Sequence, residues 1–336
     1  MTESGQEAEQ SGGGESLLTV LLALGANVAV AIAKVVAGLL TGSAALLSEA
    51  AHSFADCGTE LLLLTALRRS TKPADASHPF GYGKERYFWS LLAAVSIFTA
   101  GALFALYEGV YTLVGKPEDH GKPLVGYLVL AAAAVLESIS LAQAIRQTRR
   151  EQAKDRLPLR TYLRRSDDPT VKTVLYEDSA ALVGLLFAFA GLGLTQLTGS
   201  QMWDGIASLL IGCLLVVVAY LLGRTNMNLL IGQQADRRLV AVVRERLESQ
   251  PEVEAVVDLL TMLTGTDQVL VCGRLDFADG IASDELERAC VRIDAELRAE
   301  FPDLDEIFLE PVPRSDPELR AKVRARYGPG RADAVK

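Results

Sequence analysis

Long apolar runs dominate residues 17–231 of this chain and leave it little choice of architecture. They lie at about 17–40, 44–67, 88–114, 124–145, 173–198 and 203–231. About 18 consecutive apolar residues are enough to cross a bilayer as a helix. Lipid offers no partner to a bare backbone N–H or C=O, so a helix is the sensible form at these lengths. The reading is an all-α, six-helix transmembrane domain over 17–231.

The flanking residues are of another kind. Residues 1–16 are acidic and glycine-rich (Glu3, Glu7, Glu9, Glu15, Gly12 to Gly14) and are expected to be disordered. They lack the basic start of a signal peptide. Residues 232–336 read as soluble. Helical spacing over 234–250 (Leu239, Val243, Leu247) stops at Pro251. Strand-like runs follow at 253–263 and 267–277, joined near Thr264-Gly265-Thr266. A helix over 282–300, opened by Ser283, sets Leu286, Ala289, Ile293 and Leu297 on one face. Pro302 breaks it, and a last strand covers 304–310. The αββαβ order makes 232–313 a small cytoplasmic α+β domain of ferredoxin-like type, with a disordered charged tail over 314–336.

Basic residues set the orientation. The segment after the second run carries Arg68, Arg69, Lys72, Lys84 and Arg86; the segment after the fourth carries nine, from Arg146 to Lys172. The opposite loops are short. Both termini are therefore expected on the cytoplasmic side, with the chain in the plasma (inner) membrane of a prokaryote. Cys57, Cys213, Cys272 and Cys290 have no CxxC spacing and read as packing residues.

An ionisable side chain inside a membrane is costly and usually marks a pathway or site. The second run carries Glu49, His52, Asp56 and Glu60, spaced three, four and four apart, which puts all four on one helical stripe. A helix–helix hydrogen-bond seam is the structural alternative. At i and i+4, His52 and Asp56 can reach one ion, and nitrogen plus carboxylate oxygen suits Zn²⁺ as well as Co²⁺, Ni²⁺, Fe²⁺ or Mn²⁺. Entering near Ala44, the helix carries His52 about 12 Å and Asp56 about 18 Å into a ~30 Å core.

Further ligands are sought in the fifth run, where Glu177 and Asp178 precede a long apolar stretch; an acidic pair at the membrane edge is the other reading. Asn27 in the first run is an extra oxygen ligand or a helix–helix hydrogen bond. Glu137 is a gate, a proton site or the partner of a base. Lys34 and Glu108 are expected to snorkel to the interface, and Asp204 to cap its own helix. No HExxH, GxSxG or paired protease-type aspartates are present, so an enzyme is not expected. The N/O ligand stripe also argues against an organic solute.

Three stretches resemble the cation diffusion facilitator family: Ser43-Ala-Ala-Leu-Leu-Ser-Glu-Ala-Ala-His52-Ser-Phe-Ala-Asp56, His78-Pro-Phe-Gly-Tyr-Gly-Lys-Glu-Arg86-Tyr87, and Asp168-Pro169 followed by Leu175-Tyr-Glu-Asp178-Ser-Ala-Ala-Leu-Val-Gly184. The order of six helices and then a short soluble domain is similar too, and the likeness covers about 17–313. The branch resembled is the one containing the eukaryotic mitochondrial zinc transporter. The resemblance implies a homodimer, paired through the cytoplasmic domain and the transmembrane helices, that moves Zn²⁺ or a related divalent ion against H⁺. It implies one intramembrane site built from the second and fifth helices.

Departures from the family pattern bear on that site. Many members carry a ligand four residues before the fifth-helix Asp, where this chain has Val174. In some relatives the loop after the second helix holds a further metal through an Asp and two His; Asp75 and His78 match, but Tyr82 stands at the second His, so a weak or absent second site is expected. Residues 232–336 contain no His, which removes a His-based regulatory zinc site there.

The combined reading is a metal/proton antiporter working by alternating access and exporting the ion from the cytoplasm. His52, Asp56 and Asp178 hold the ion, with Glu177 or Asn27 assisting. The alternatives are a transport-deficient metal-binding regulatory protein and a transporter selective for Mn²⁺, Fe²⁺, Co²⁺ or Ni²⁺. No resident cofactor and no nucleic-acid partner are expected; the partners are the divalent ion, lipid and a second copy of the chain.

Overall fold

The computed structural model describes residues 24, 25, 27–115, 123–155 and 169–327. The N-terminal tail of 1–16, residues 156–168 of the Arg-rich loop and the last nine residues lie outside them. The chain divides into two compact units. One takes in residues up to Leu67 and Phe88–Met227; the other joins Arg68–Tyr87 to Asn228 and beyond.

Among the described residues the first unit is built of helices, three of which run on by a few residues into the second. Its elements are α1 (Asn27–Thr41), α2 (Ala44–Ser70), α3 (Glu85–Val114), α4 (Pro123–Asp155), α5 (Pro169–Thr198) and α6 (Met202–Ile231). Helices α3 to α6 are long and apolar enough to cross a membrane. Helix α2 has the length, 27 residues, but its acidic stripe and its terminal Arg68 and Arg69 dilute its apolar character. Helix α4 runs on to Asp155, so the first part of the expected Arg-rich loop is helical.

Small residues set the helix spacing. The core contains Ala37, Ala45, Ala94, Ala102, Ala105, Ala133, Ala180 and Ala188 beside Leu46, Leu130, Leu185, Ile211 and Leu215. In lipid, close approach of small residues is a main source of helix–helix attraction. Between α3 and α6 two glycines allow it. A Cβ on Gly109 would lie 2.7 Å from Leu209 Cγ, and one on Gly212 2.8 Å from Leu106 Cγ.

Asp204, expected to cap its own helix, lies inside the first turn of α6, where it is buried and caps the start of α2. Its carboxylate accepts from Ser43 Oγ at 2.6 Å and from the Ala44 backbone N–H. The orphan N–H groups at the start of α2 thus find a charge from a helix 160 residues away in sequence.

The second unit follows the expected order: α7 (Arg237–Glu248), β1 (Val253–Gly265), β2 (Gln268–Phe277), α8 (Ser283–Glu300), β3 (Leu304–Pro311). Strand β2 is central, antiparallel to β1 (Thr261 opposite Val271) and parallel to β3 (Val271 opposite Ile307). Val240, Val243 and Leu247 of α7 and Ile293 and Leu297 of α8 share one core with Leu259, Leu263, Val271 and Leu275. This is the small ferredoxin-like α+β domain.

Two details differ from the sequence reading. Ser283 is the first helical residue of α8 and Ala282 the cap, with no side-chain hydrogen bond. The tail is also ordered further than expected. Pro317–Tyr327 form a helix, α9, whose Leu319 and Val323 bury against Val257 of β1. That apolar pair outweighs the charge around it.

Candidate functional site

Helix α2 brings its stripe to the interior because Ala44, Ala45, Ala50 and Ala55 pack closely around it. The four polar residues then part company. Asp56 and Glu60 face a cavity of about 130 Å³, as does Ser53. Glu177 and Asp178 of α5 close its second side, with Val174 one turn before Asp178. Glu137 and Ser140 of α4 form the third side, and Asn27 of α1 the fourth. Five carboxylates thus surround a space of a few water molecules, and among the described residues none that lines it is basic. Such a concave, one-signed surface concentrates cations.

His52 is buried and does not line the cavity. Its Nδ1 lies 3.3 Å from Asp56 Oδ1, and neither ring nitrogen has a hydrogen-bond partner. Helix α3 backs it. There a π-helical stretch, Ile97–Ala102, sets Gly101 beside it: a Cβ would sit 3.9 Å from His52 Cα, in ordinary contact. Such π turns recur at functional sites because they re-aim one face of a helix. Glu177 is buried with Oε1 unpartnered; Asp178 accepts a 2.8 Å bond from Ser140 Oγ. The Asn27 amide donates to Glu60.

The structure therefore gathers Asn27, Asp56, Glu177 and Asp178 around one cavity, with His52 directly behind Asp56. Among the described residues, no three His, Cys, Asp or Glu side chains are drawn into a set that could hold a metal ion. The donors are assembled but not closed up.

One membrane residue was misread from sequence here, and α4 contributes more than sequence suggested. Lys34 does not snorkel. It is fully buried, with Nζ 3.1 Å from Glu49 Oε2 and 2.7 Å from Ser53 Oγ. Glu49 accordingly turns away from the cavity, toward α1. Ser140 was not singled out, since serine is common in membrane helices; only its bond to Asp178 marks it.

In the loop, Asp75 is tied by three hydrogen bonds. One carboxylate oxygen accepts from the Ser77 and His78 backbone N–H groups at 2.8 Å, and the other from Tyr82 Oη at 2.7 Å. The His78 and Tyr82 rings pack with centroids 4.2 Å apart. The Tyr82 bond holds the Asp75 carboxyl below its ordinary range and pushes the Tyr82 phenol up. Tyrosine here ties the loop where a second imidazole would have offered a ligand.

Residues 20–231 match the family of the cation efflux transmembrane domain. The chain belongs to this family, the cation diffusion facilitators. The mitochondrial proton-coupled zinc antiporter SLC30A9 of Xenopus laevis is 36% identical over 244 residues, 73% of this chain and 44% of that protein. Metal tolerance protein C4 of Arabidopsis thaliana is 32% identical over 237 residues, 70% of this chain and 52% of its own. The manganese efflux system protein MneP of Bacillus subtilis is 23% identical over 302 residues, 87% and 94% of the two chains. The facilitator thus stands near the branch of the mitochondrial zinc transporter, and it spans about half the length of the relatives first named. Its family is one of membrane transporters.

Proposed function

We propose that this facilitator exchanges Zn²⁺ for protons by alternating access and moves the metal out of the cytoplasm. One observation carries the reading: five carboxylates meet at a small cavity between membrane helices, with no basic residue among the described residues of its lining. Such a density of acid is costly in a membrane and is offset when a cation enters. The names of the relatives, a proton-coupled zinc antiporter and a manganese efflux protein among them, point the same way.

In the mechanism, the ion enters the cavity and Asp56 and Asp178 take it by their oxygens. Rotation of the buried imidazole of His52 toward Asp56 adds the nitrogen donor that favours Zn²⁺ over hard cations. Glu177, with an unpartnered oxygen, and Asn27 complete the shell. Movement of α2 against α5 then turns the site to the opposite side. There protons displace the metal, because imidazole and carboxylate bind it only when deprotonated. The return swing carries the protons inward. Asp75 and His78 stay outside this cycle, being committed to their loop. In this reading the protein works as a homodimer in a prokaryotic plasma membrane, with its termini in the cytoplasm.

The test is Zn²⁺ uptake into proteoliposomes carrying a pH gradient. Wild-type protein should move Zn²⁺ only with the gradient, and Asp178→Ala should stop it. Gradient-driven uptake by Asp178→Ala at the wild-type rate would end the site assignment. Substituting Mn²⁺ for Zn²⁺ in the same assay separates the two named substrate classes.

A further inference from the structure

The cavity ends on a buried ion pair. Ser53 lines it, and the Ser53 hydroxyl accepts a 2.7 Å hydrogen bond from Lys34 Nζ. The same ammonium holds Glu49 Oε2 at 3.1 Å, with both side chains at 0% exposure. One turn further along α2 the packing turns apolar and tight. A Cβ on Gly126 of α4 would lie 3.0 Å from both Leu46 and Leu192. The other end of the α1–α2 seam carries the Asn27–Glu60 hydrogen bond, which does line the cavity. Seven residues separate Asn27 from Lys34 and Ser53 from Glu60, so the two clasps stand about 10 Å apart along antiparallel helices.

Two features make the buried pair more than a clamp. A buried ion pair is often no more stabilising than apolar side chains of the same volume, so holding α1 to α2 does not call for one. Glu49 also keeps Oε1 without a hydrogen-bond partner, an expense that a clamp has no use for. That oxygen lies against Gly184 of α5, where any Cβ would collide with it. One carboxylate thus touches three helices, α1 through Lys34, α2 by its own backbone and α5 at Gly184, where the polar cavity gives way to closed packing.

We propose that Lys34 and Glu49 form the gate that closes the cavity on its far side. The proposal rests on the alternating-access reading above. With the pair joined, the ammonium bars the way to a cation, and neutralised Glu49 does not draw it onward from Asp56. Separating the pair in a dry interior would leave two uncompensated charges. The gate therefore opens only when α1 and α5 part far enough for water from the opposite side to solvate both. Gly184 leaves room for the carboxylate. Lys34 and Glu49 are positioning residues and do not touch the metal.

The experiment uses the full chain in proteoliposomes with a trapped zinc dye, flux being followed with and without a pH gradient. Zn²⁺ affinity is measured separately by calorimetry. Lys34→Met should bind Zn²⁺ within about threefold of wild type, since the cavity ligands are untouched. Its gradient-driven exchange should fall tenfold or more, and a Zn²⁺ leak indifferent to the gradient should appear. Lys34→Met that exchanges with wild-type coupling and no leak overturns the gate. Should Lys34→Met fail to fold, the exchanged pair K34E/E49K decides. Zn²⁺ binding with coupled flux upholds the gate. Binding without coupling, or loss of binding, overturns it. Absence of coupled exchange in the wild type would instead bring down the antiport reading itself.

Discussion

Charged side chains in the two units meet opposite fates. In the C-terminal unit they answer one another. Arg292 reaches Glu252 at 2.6 Å, Gln250 Oε1 at 2.7 Å and Glu296 at 3.0 Å. Arg274 holds Glu310 at 2.7 Å and lies 3.5 Å from buried Asp258. In the membrane unit Asp56, Glu60, Glu137, Glu177 and Asp178 crowd one cavity with no cationic side chain among the described residues of its lining. The first arrangement completes a fold. The second leaves negative charge unmet, and that is what a carrier of cations requires. Lys34 and Glu49 are the exception that sharpens the contrast, a charge-paired couple set where the cavity stops.

If the contrast is right, removing a charge from the cavity should cost transport and spare stability. Asp56→Asn and His52→Ala should each lower Zn²⁺ exchange at least about a hundredfold, the loss of a principal ligand being worth several kcal/mol. Asp56→Asn should melt no lower than wild type, because it relieves repulsion among acids. A large drop in melting temperature with flux retained would place Asp56 in the fold rather than the site.

Adding a donor should act the other way. Val174 lines the cavity one turn before Asp178, and Val174→Asp supplies a carboxylate there. Zn²⁺ should bind about tenfold more tightly, roughly 1.4 kcal/mol, by calorimetry. Unchanged affinity would mean that the ion sits away from that turn.

The C-terminal charges should show the reverse pattern. Arg292→Ala should lower the melting midpoint by a few degrees and leave the flux within twofold. The Arg292 and Gln250 bonds hold the Glu296 carboxyl below its usual range. Its contribution is therefore present above the ordinary carboxylate value and lost as pH falls through the lower, folded one. The gap between wild type and Arg292→Ala should close in acid.

The smallest effect is expected in the loop. Tyr82→Phe removes the hydrogen bond that depresses Asp75, so the Asp75 carboxyl should titrate at higher pH by NMR while Zn²⁺ exchange stays as it was. Loss of exchange would show that the loop takes part in the cycle.

The apolar runs were readable because a membrane span is a local property: backbone hydrogen bonds close within each helix, and length follows from bilayer thickness. The order of the soluble domain was readable for a similar reason, since alternation on β2 and the apolar faces of α7 and α8 are written in consecutive residues. The acidic stripe of α2 was visible through its spacing, and the pair at the start of α5 through its place before an apolar run.

Direction and partnership were not visible. Helical periodicity puts Glu49, His52, Asp56 and Glu60 on one stripe, yet α1 draws Glu49 to Lys34 and the cavity takes Asp56 and Glu60. Asp204 looked like the cap of the helix it begins and serves the start of α2. In each case the partner lies on another helix. The sequence by itself determined which segments are helices and which of them carry charge. Tertiary structure alone decided which charge meets which, because a buried polar group settles on the nearest partner in space, and that partner is chosen by how the helices pack.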